Sequence, residues 1–289
     1  MRARGLRFHV LGFGDDAAPT LFVLHGWGDS SASFIPFVHA LLARVDEPMR
    51  VFAMDHRGFG YSARGSGGYY WFPDYVADLA AVIDGLVPGQ RVKLVGHSMG
   101  AQIASLYAGL RPARVERLVL MDGLAVADMP PSATPARYAR WLDALAQPPR
   151  MQSFASFDAL AARIRRRQPH LDARQALFLA RCWATAEEDG RVTLLADPLH
   201  RMDGPLPYHA ADFEAVWRCV TAPTLFLLAE ASALRGMLPD GDYVRREACF
   251  RNHSTQSLRG VGHLMHVEAP ERCAEAVARF VTRELIGAR

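Results

Sequence analysis

The sequence predicts an α/β fold, in which a mainly parallel sheet is flanked by helices and a helical insertion interrupts the alternation. Short apolar runs, such as residues 20–24 and 92–95, alternate with segments of helical spacing. This alternation is typical of parallel strands joined by crossover helices. Between about Leu124 and Trp217 such runs stop, and prolines separate helical stretches. A chain of 289 residues, half of them hydrophobic, is long enough for one such domain with an insertion.

The strands and helices of the first part follow from their hydrophobic periods. Residues 6–10 alternate apolar and polar side chains, which is typical of an exposed edge hairpin. A continuous apolar run predicts a buried strand at residues 20–24, and shorter, mainly apolar segments predict strands at residues 50–54, 92–95 and 118–121. Apolar residues that recur on one side predict helices at residues 33–45, 73–87 and 101–110.

The second part begins with a change of pattern. Helical stretches are predicted at residues 137–145 and 174–183, strands at 224–229 and 254–259, and a closing amphipathic helix at 269–286. We therefore expect a core formed by residues 1–123 and 218–289. Residues 124–217, hereafter the insertion, are expected to form a helical cap.

Gly96-x-Ser98-x-Gly100 is the strongest chemical signal. It follows the strand at 92–95 and precedes a helix of small residues, which is the context of a nucleophile elbow. Flanking glycines permit a tight turn that would crowd a Cβ. The alternative is a chance match in a loop, which the strand and helix on the correct sides disfavour. We therefore expect Ser98 to be a nucleophile.

A serine hydroxyl needs a general base, and His263 is the leading candidate. It follows Gly262, after the last predicted strand and before the last helix. The order of serine first and histidine last is that of the α/β-hydrolases. His266 competes with it, and we expect that side chain to pack near the start of the helix.

The segment His25-Gly26-Trp27-Gly28, after the strand at 20–24, suggests where an oxyanion would be bound. Two donors must point to the place where negative charge develops. The backbone N–H groups of Trp27 and Met99 are the predicted pair. His25 is expected to support the loop by hydrogen bonding, and the Trp27 indole either lines a pocket or packs in the core.

These motifs, in this order, resemble the α/β-hydrolase superfamily, and within it the serine-hydrolase-like or kraken-like branch. Asp55-x-Arg57-Gly58-x-Gly60-x-Ser62 matches a structural loop of that family, in which Asp55 and Arg57 are expected to pair or to hydrogen-bond locally. The resemblance implies an eight-stranded, mainly parallel sheet with the helical cap inserted after the sixth strand. Because Ser98 stands at the elbow, relatives with a carboxylate nucleophile, the dehalogenases and epoxide hydrolases, are excluded.

The acid that would complete a triad is where the sequence departs from the family. Ser232 stands where relatives carry aspartate after the seventh strand. Asp122, at the end of the strand at 118–121, is the preferred substitute, because neighbouring strand ends point into one crevice. Asp122 is also readable as a loop-capping residue. The alternatives are Glu230, at the end of the next strand, and Asp240 or Asp242 in the following loop.

Composition limits the partners. The formal net charge of +3 argues against nucleic acid, although Lys93 is the single lysine among 33 cationic residues. The run Arg163 and Arg165–Arg167 is expected to be a solvated helix face, with an anion-binding patch as the alternative. The cysteines lack CxxC spacing, so we expect free buried thiols and a cytoplasmic protein: Cys182, Cys219, Cys249 and Cys273. No metal-ligand spacing, dinucleotide motif or membrane span is found, so we predict no metal, cofactor or membrane partner.

The predicted function is hydrolysis of an ester, or of a related acyl bond, in a small and largely apolar substrate, as a carboxylesterase does. Carbon–carbon bond or thioester hydrolysis would use the same residues. The missing acid at Ser232 suggests an alternative from another class. That alternative is a non-catalytic or slow-turnover protein that binds a small molecule on a hydrolase scaffold.

Overall fold

The computed structural model describes residues 1–65 and 69–282, and its strands and helices follow the predicted alternation. The strands are β1 (Arg2–Ala3), β2 (Leu6–Arg7), β3 (Val10–Gly14), β4 (Thr20–Leu24), β5 (Arg50–Met54), β6 (Val92–His97), β7 (Val115–Met121), β8 (Ser153–Phe154), β9 (Ala184–Ala186), β10 (Val192–Leu194), β11 (Thr224–Ala229) and β12 (His253–Leu258). The helices are α1 (Ile35–Leu42), α2 (Phe72–Leu86), α3 (Met99–Leu110), α4 (Thr134–Ala146), α5 (Phe157–Arg167), α6 (Ala173–Trp183), α7 (Ala210–Trp217), α8 (Asp242–Glu247), α9 (Met265–Glu268) and α10 (Pro270–Val281). The predicted final turn of the last helix, residues 283–286, lies outside the described residues.

The main sheet has the order β12-β11-β7-β6-β4-β5-β3, and all pairs are parallel except β3 with β5. The described residues thus contribute seven strands to it, where the resemblance implied eight. Residues 2–7 fold back at Arg4 and Gly5, both with positive φ, into a separate hairpin of β1 and β2. The insertion consequently follows the fifth strand of this sheet along the chain, β7.

Helices cover both faces of the sheet, so strand residues alternate between two apolar layers. In β6, Leu94 packs with the layer that includes α2 and α3, whereas Val95 packs with the layer that includes α1 and α10. Burial on both faces is the reason that β4 and β11 are apolar at every position after their first threonine. Among the described helices, no segment combines the length and the apolar character needed to cross a membrane.

The insertion contains α4 to α7 and a small antiparallel sheet of order β8-β10-β9, which the sequence analysis did not predict. These strands have two or three residues each, too few to display a period. The domain bounds stay predictions. Trp217, the last predicted residue of the insertion, is fully buried in the core, where its Nε1 donates to Ser105 Oγ of α3 at 2.9 Å.

The four cysteines are free, but only two of them are buried. Cys249 and Cys273 agree with the expectation of buried thiols, and Cys182 is half-buried. Cys219 is exposed after the end of α7, so the prediction was wrong for this residue.

Candidate active site

Ser98 lies in a sharp turn between β6 and α3, at the carboxyl edge of the sheet. Its φ of 53° and ψ of −116° are strained for a residue with a side chain. The turn depends on its glycines, because a Cβ on Gly96 would lie 2.3 Å from the Gly100 carbonyl oxygen. A Cβ on Gly100 would lie 2.2 Å from the Leu24 carbonyl oxygen. This close packing positions the Ser98 hydroxyl above the strand ends.

His263 connects Ser98 to a carboxylate. The Ser98 hydroxyl lies 3.1 Å from His263 Nε2, and His263 Nδ1 donates to Asp122 Oδ2 at 2.7 Å. His263 lies in the loop between β12 and α9, whereas Asp122 follows β7. The structure therefore brings together the serine, the histidine and the preferred acid of the sequence analysis. A serine, an imidazole and a buried carboxylate in this order can activate a hydroxyl.

The other carboxylate oxygen of Asp122, Oδ1, also has hydrogen-bond donors. The residue is buried, and its φ of 43° turns the side chain out of the line of β7. Oδ1 accepts from Arg235 Nη1 at 3.2 Å, and the Ala229 amide lies 3.4 Å from it. The sequence analysis did not single out Arg235. No local signal identifies it, because it is 113 residues away from its partner.

The other candidate acids have different partners. Glu230 Oε2 accepts from the Gly260 amide at 2.9 Å, so this exposed side chain supports the loop after β12. Asp242 pairs with Arg245 in α8 at 2.6 Å, and Asp240 is exposed. Ser232 Oγ accepts from the Leu234 amide.

The predicted amide donors lie on two loops that meet beside Ser98. A Cβ on Gly26 would lie 3.1 Å from Ser98 Cβ, which shows how closely the loop after β4 approaches the elbow. Met99 is the first residue of α3, where helical amides lack intrahelical acceptors. Within residues 1–65 and 69–282, neither the Trp27 nor the Met99 amide has a hydrogen-bond acceptor. Both amides are thus available to a ligand.

The loop after β4 is supported from behind by two buried histidines. His25 Nδ1 donates to the Gly26 carbonyl at 2.7 Å, and His25 Nε2 accepts from the His56 amide at 3.0 Å. His25 therefore has the supporting position that we expected. The Trp27 side chain is 58% exposed and lines cavities instead of packing in the core.

Asp55 and Arg57 do not pair with each other. Asp55 accepts from the amides of Ser31 and Tyr61 and lies 2.8 Å from His9 Nδ1, so it organises its own loop. Arg57 instead pairs with Asp78 of α2, because its side chain points away from that loop. Of the two expectations, local hydrogen bonding is correct for Asp55, and pairing between the two residues is wrong.

Behind the site lies a buried polar cluster, Asp29, His97 and His266, which the sequence analysis did not recognise. His266 Nε2 donates to Asp29 Oδ2 at 3.1 Å, and Trp183 Nε1 of α6 donates to Asp29 Oδ1 at 2.6 Å. Burial acts to raise the pKa of the Asp29 carboxyl, but the hydrogen bonds from His266 and Trp183 hold it well below its usual range.

His97 links this cluster to the site. Burial, followed by the neighbouring His266 and His263, lowers its pKa well below 6.5, so His97 is neutral at pH 7. Its Nε2 donates to the His263 carbonyl at 2.8 Å and so supports the loop that carries His263. His266 stacks on Phe34 with ring centroids 4.0 Å apart, in agreement with a packing role.

The same cluster is the place where a metal could be held. One ligand atom each from Asp29, His97 and His266 lies within 4.8 Å of the others. The hydrogen bonds given above already use the Asp29 oxygens, so we interpret the cluster as a structural network. The expectation of no metal stays a prediction.

Two cavities meet at Ser98 and Trp27. The larger cavity, about 630 Å³, lies under the insertion and also contains His263. Its apolar wall comes mainly from the insertion: Phe154, Leu160, Ile164, Trp183 and Leu194. The smaller cavity, about 330 Å³, has an apolar and aromatic wall: Tyr70, Phe72, Tyr75, Leu124 and Val126. A substrate that spans Ser98 would place one part in each cavity.

Known proteins resemble this chain in sequence and in fold. Residues 19–184 match the family described as alpha/beta hydrolase fold. A serine hydrolase-like protein of Danio rerio is 39% identical over 100 residues, 34% of this chain and 29% of that protein. A 2-(acetamidomethylene)succinate hydrolase of Mesorhizobium japonicum is 26% identical over 267 residues, 92% of this chain and 88% of that protein. The chain thus spans less than a third of the Danio rerio relative but most of the bacterial one.

A solved structure extends the comparison to nearly the whole chain. The crystal structure of the hypothetical protein PA1622 from Pseudomonas aeruginosa PAO1 has a TM-score of 0.84 and 26% sequence identity. The similarity covers 98% of each chain. The likeness therefore includes the insertion as well as the main sheet.

Proposed function

The chain belongs to the α/β-hydrolase family, and we propose that it is a serine hydrolase that cleaves an ester or a related acyl bond. The observation that carries the proposal is the Ser98–His263–Asp122 arrangement, with separations of 3.1 and 2.7 Å. The substrate would be small and largely apolar, because apolar side chains dominate the cavities on both sides of Ser98.

In the first half of the reaction, Ser98 Oγ attacks the substrate carbonyl while His263 Nε2 takes its proton. Asp122 holds the Nδ1–H tautomer and stabilises the imidazolium. The amides of Trp27 and Met99 donate to the oxyanion that forms. His263 then returns the proton to the leaving alcohol, and the C–O bond breaks to leave an acyl-enzyme.

In the second half, water replaces the alcohol. His263 removes a proton from the water, the hydroxide attacks the acyl carbonyl, and the proton passes to Ser98 Oγ as it leaves. The products are a carboxylic acid and the regenerated serine. This route needs no cofactor.

A fluorescent alkyl phosphonate tests the proposal, because it labels only an activated hydroxyl. We expect the wild type to be labelled and to hydrolyse an activated aryl ester, and the Ser98→Ala variant to do neither. The matched control is Ser257→Ala, which removes an exposed hydroxyl on β12. Full hydrolysis by Ser98→Ala, or an unlabelled wild type, would refute the mechanism.

The same experiment separates the other interpretations. A binding protein on this scaffold was suggested by Ser232 in place of an acid, and the Asp122–His263 contact weakens that reason. Such a protein would bind small molecules but resist labelling. Carbon–carbon and thioester hydrolysis would share the labelling, so a panel of substrates with one acyl group and different leaving groups distinguishes them from ester hydrolysis.

A further inference from the structure

The two cavities beside Ser98 differ in charge. The smaller cavity is lined by aromatic and aliphatic side chains, and no Asp, Glu, Lys or Arg among the described residues lines it. The larger cavity has an apolar wall of similar character, but three arginines also line it: Arg163, Arg167 and Arg201. A substrate that spans both cavities would therefore meet positive charge on one side only.

These arginines come from two separate elements, and Arg163 is half-buried whereas Arg167 and Arg201 are exposed at the cavity. Arg163 and Arg167 are one turn apart on α5, at the i and i+4 spacing that places side chains on one helix face. Arg201 ends a short 3₁₀ helix, Pro198–Arg201, in the later part of the insertion. Arg163 is half-buried, with its guanidinium carbon 5.6 Å from the centre of the Phe154 ring in the same wall.

The described part of the chain supplies no carboxylate to any of the three. Elsewhere, arginines of this protein are commonly paired, as Arg140 is with Asp203 and Arg245 is with Glu214. For Arg163, Arg167 and Arg201, by contrast, neither an ion pair nor a side-chain hydrogen bond exists within residues 1–65 and 69–282. Their donors are available to a ligand in the cavity.

The two acids that line this cavity are already engaged. Asp29 accepts from Trp183 and His266, as described above. Asp197 accepts from the Tyr70 hydroxyl at 2.9 Å and from the Leu199 amide at 3.0 Å. Burial lowers the pKa of the nearby His200 to about 3, so its ring is uncharged at neutral pH. Hydrogen bonds occupy these carboxylates without cancelling their charge, so the cavity lining has three guanidinium groups against two carboxylates and an excess formal charge that is positive.

We propose that the larger cavity binds the part of the substrate that carries a carboxylate, with Arg163, Arg167 and Arg201 as its specificity-determining residues. This inference rests on the proposed serine hydrolase function. The guanidinium fork matches the geometry of a carboxylate, and the apolar wall lowers the competition from water. The natural substrate would then be an acyl compound with an anionic end on one side of the scissile bond and an apolar group on the other.

The test uses 4-nitrophenyl monoesters of the linear dicarboxylic acids from succinate to suberate. Each is compared with its methyl ester, which has nearly the same shape but no charge. For at least one chain length, we expect the acid to have a kcat/KM roughly tenfold or more above that of its methyl ester. The preference should decrease with added salt, because part of the site is exposed.

Variants locate the effect on α5. Arg163→Gln should reduce to about one the ratio of kcat/KM for each acid to kcat/KM for its methyl ester. Arg165→Gln and Arg166→Gln are the matched controls, because these exposed arginines lie on the same helix but do not line the cavity. Both controls should keep the wild-type preference. Loss of preference in the controls but not in Arg163→Gln would overturn the assignment.

Other outcomes separate this inference from the proposed function. A wild type that is labelled by the phosphonate but hydrolyses no acid faster than its methyl ester would refute the carboxylate site alone. Calorimetric binding of the same esters to Ser98→Ala gives the comparison without turnover. If the neutral esters bind as tightly as the acids there, the inference fails whether or not the wild type is a hydrolase.

Discussion

Asp122 Oδ2 lies 2.7 Å from Nδ1 of His263, although 141 residues separate them in the chain. The carboxylate is buried, and the turn after β7 points it toward the loop that follows β12. The contact gives the histidine that faces Ser98 a carboxylate partner, as the proposed mechanism requires. Under that proposal the acid is supplied after β7, and Ser232 is not needed for this role.

Replacing Asp122 by asparagine should lower kcat for an activated aryl ester by roughly 10³ to 10⁴-fold. The amide favours the wrong tautomer of His263 and no longer stabilises the imidazolium. Glu230→Gln is the control, because this carboxylate contacts the Gly260 amide and not the histidine. Circular dichroism checks the fold of both variants. A decrease of less than tenfold in Asp122→Asn would contradict the assignment.

Gly100→Ala should destabilise the protein, because its Cβ would lie 2.2 Å from the Leu24 carbonyl oxygen. Relief of such a clash requires movement of β4 or α3, at a cost of about 1–3 kcal/mol or more. Gly236→Ala is the matched control. No described heavy atom outside its chain neighbours lies within 4 Å of the added Cβ. Urea unfolding measures both, and equal free energies of unfolding would contradict the close packing at the elbow.

Trp183→Phe should lower the free energy of unfolding by about 1.5–3 kcal/mol, because it removes a donor to a buried carboxylate. The indole Nε1 lies 2.6 Å from Asp29 Oδ1. Trp141→Phe is a suitable control, since its buried Nε1 has no hydrogen-bond partner among the described residues. The control substitution should lower the free energy of unfolding by less than Trp183→Phe does. The reverse order in thermal or urea unfolding would show that Asp29 does not depend on the indole.

His200→Phe should make the protein less sensitive to acid. The His200 ring stacks on the rings of Phe59 and Tyr70, with centroid separations of 3.7 and 3.6 Å. Burial lowers the pKa of His200 from 6.5 to about 3. Between these values the unfolded chain binds a proton that the folded chain does not, so stability falls as the pH falls below 6.5.

From pH 7.5 to pH 5 this histidine accounts for a loss of about 2 kcal/mol. Urea unfolding at both pH values should show that His200→Phe loses about that much less than the wild type. His39→Phe, on an exposed part of α1, controls for the change of residue type. An unchanged pH difference in His200→Phe would mean that the ring is not kept neutral by the fold.

Much of the fold could be predicted because strands buried on both faces of the sheet consist mainly of apolar residues. The strands β4, β5 and β11 coincide with the apolar runs at 20–24, 50–54 and 224–229. An edge hairpin was expected at residues 6–10, and the structure has one at residues 2–7. The small sheet of the insertion was not recognised, since strands of two or three residues display no period. The resemblance implied eight strands in the main sheet, and the described residues supply seven, because the N-terminal residues form a separate hairpin.

Candidate site residues that lie in a local motif could be predicted from the sequence. Those that depend on contacts between distant segments could not be chosen from the sequence alone. Ser98 and His263 each lie in a short pattern beside a strand. The choice between Asp122 and Glu230 depended on which strand end faces the histidine, and only the sheet order determines that. The pair of Asp29 and His266, 237 residues apart, leaves no trace in either segment.

The arginines of α5 were predicted only in part. The prediction of a solvated helix face fits Arg165, Arg166 and Arg167, which are all exposed, although Arg167 also lines the larger cavity. Arg163 is half-buried and lines the same cavity. The packing of α5 against α6 determines which side of α5 is covered, and the sequence alone does not contain that contact.

The Asp29 network has a consequence for protein engineering. Trp183 Nε1 and the Cys182 carbonyl, both from α6, bond to Asp29 and Ser30, which directly follow the Trp27-Gly28 turn. The insertion is therefore not an interchangeable module. A chimera that replaces it must bring its own donor for the buried carboxylate, because otherwise Asp29 Oδ1 would keep only the Ser30 amide, at 2.8 Å, as a donor. Transplanted covers that retain an indole or an equivalent donor at this position are the ones expected to leave the turn beside Ser98 intact.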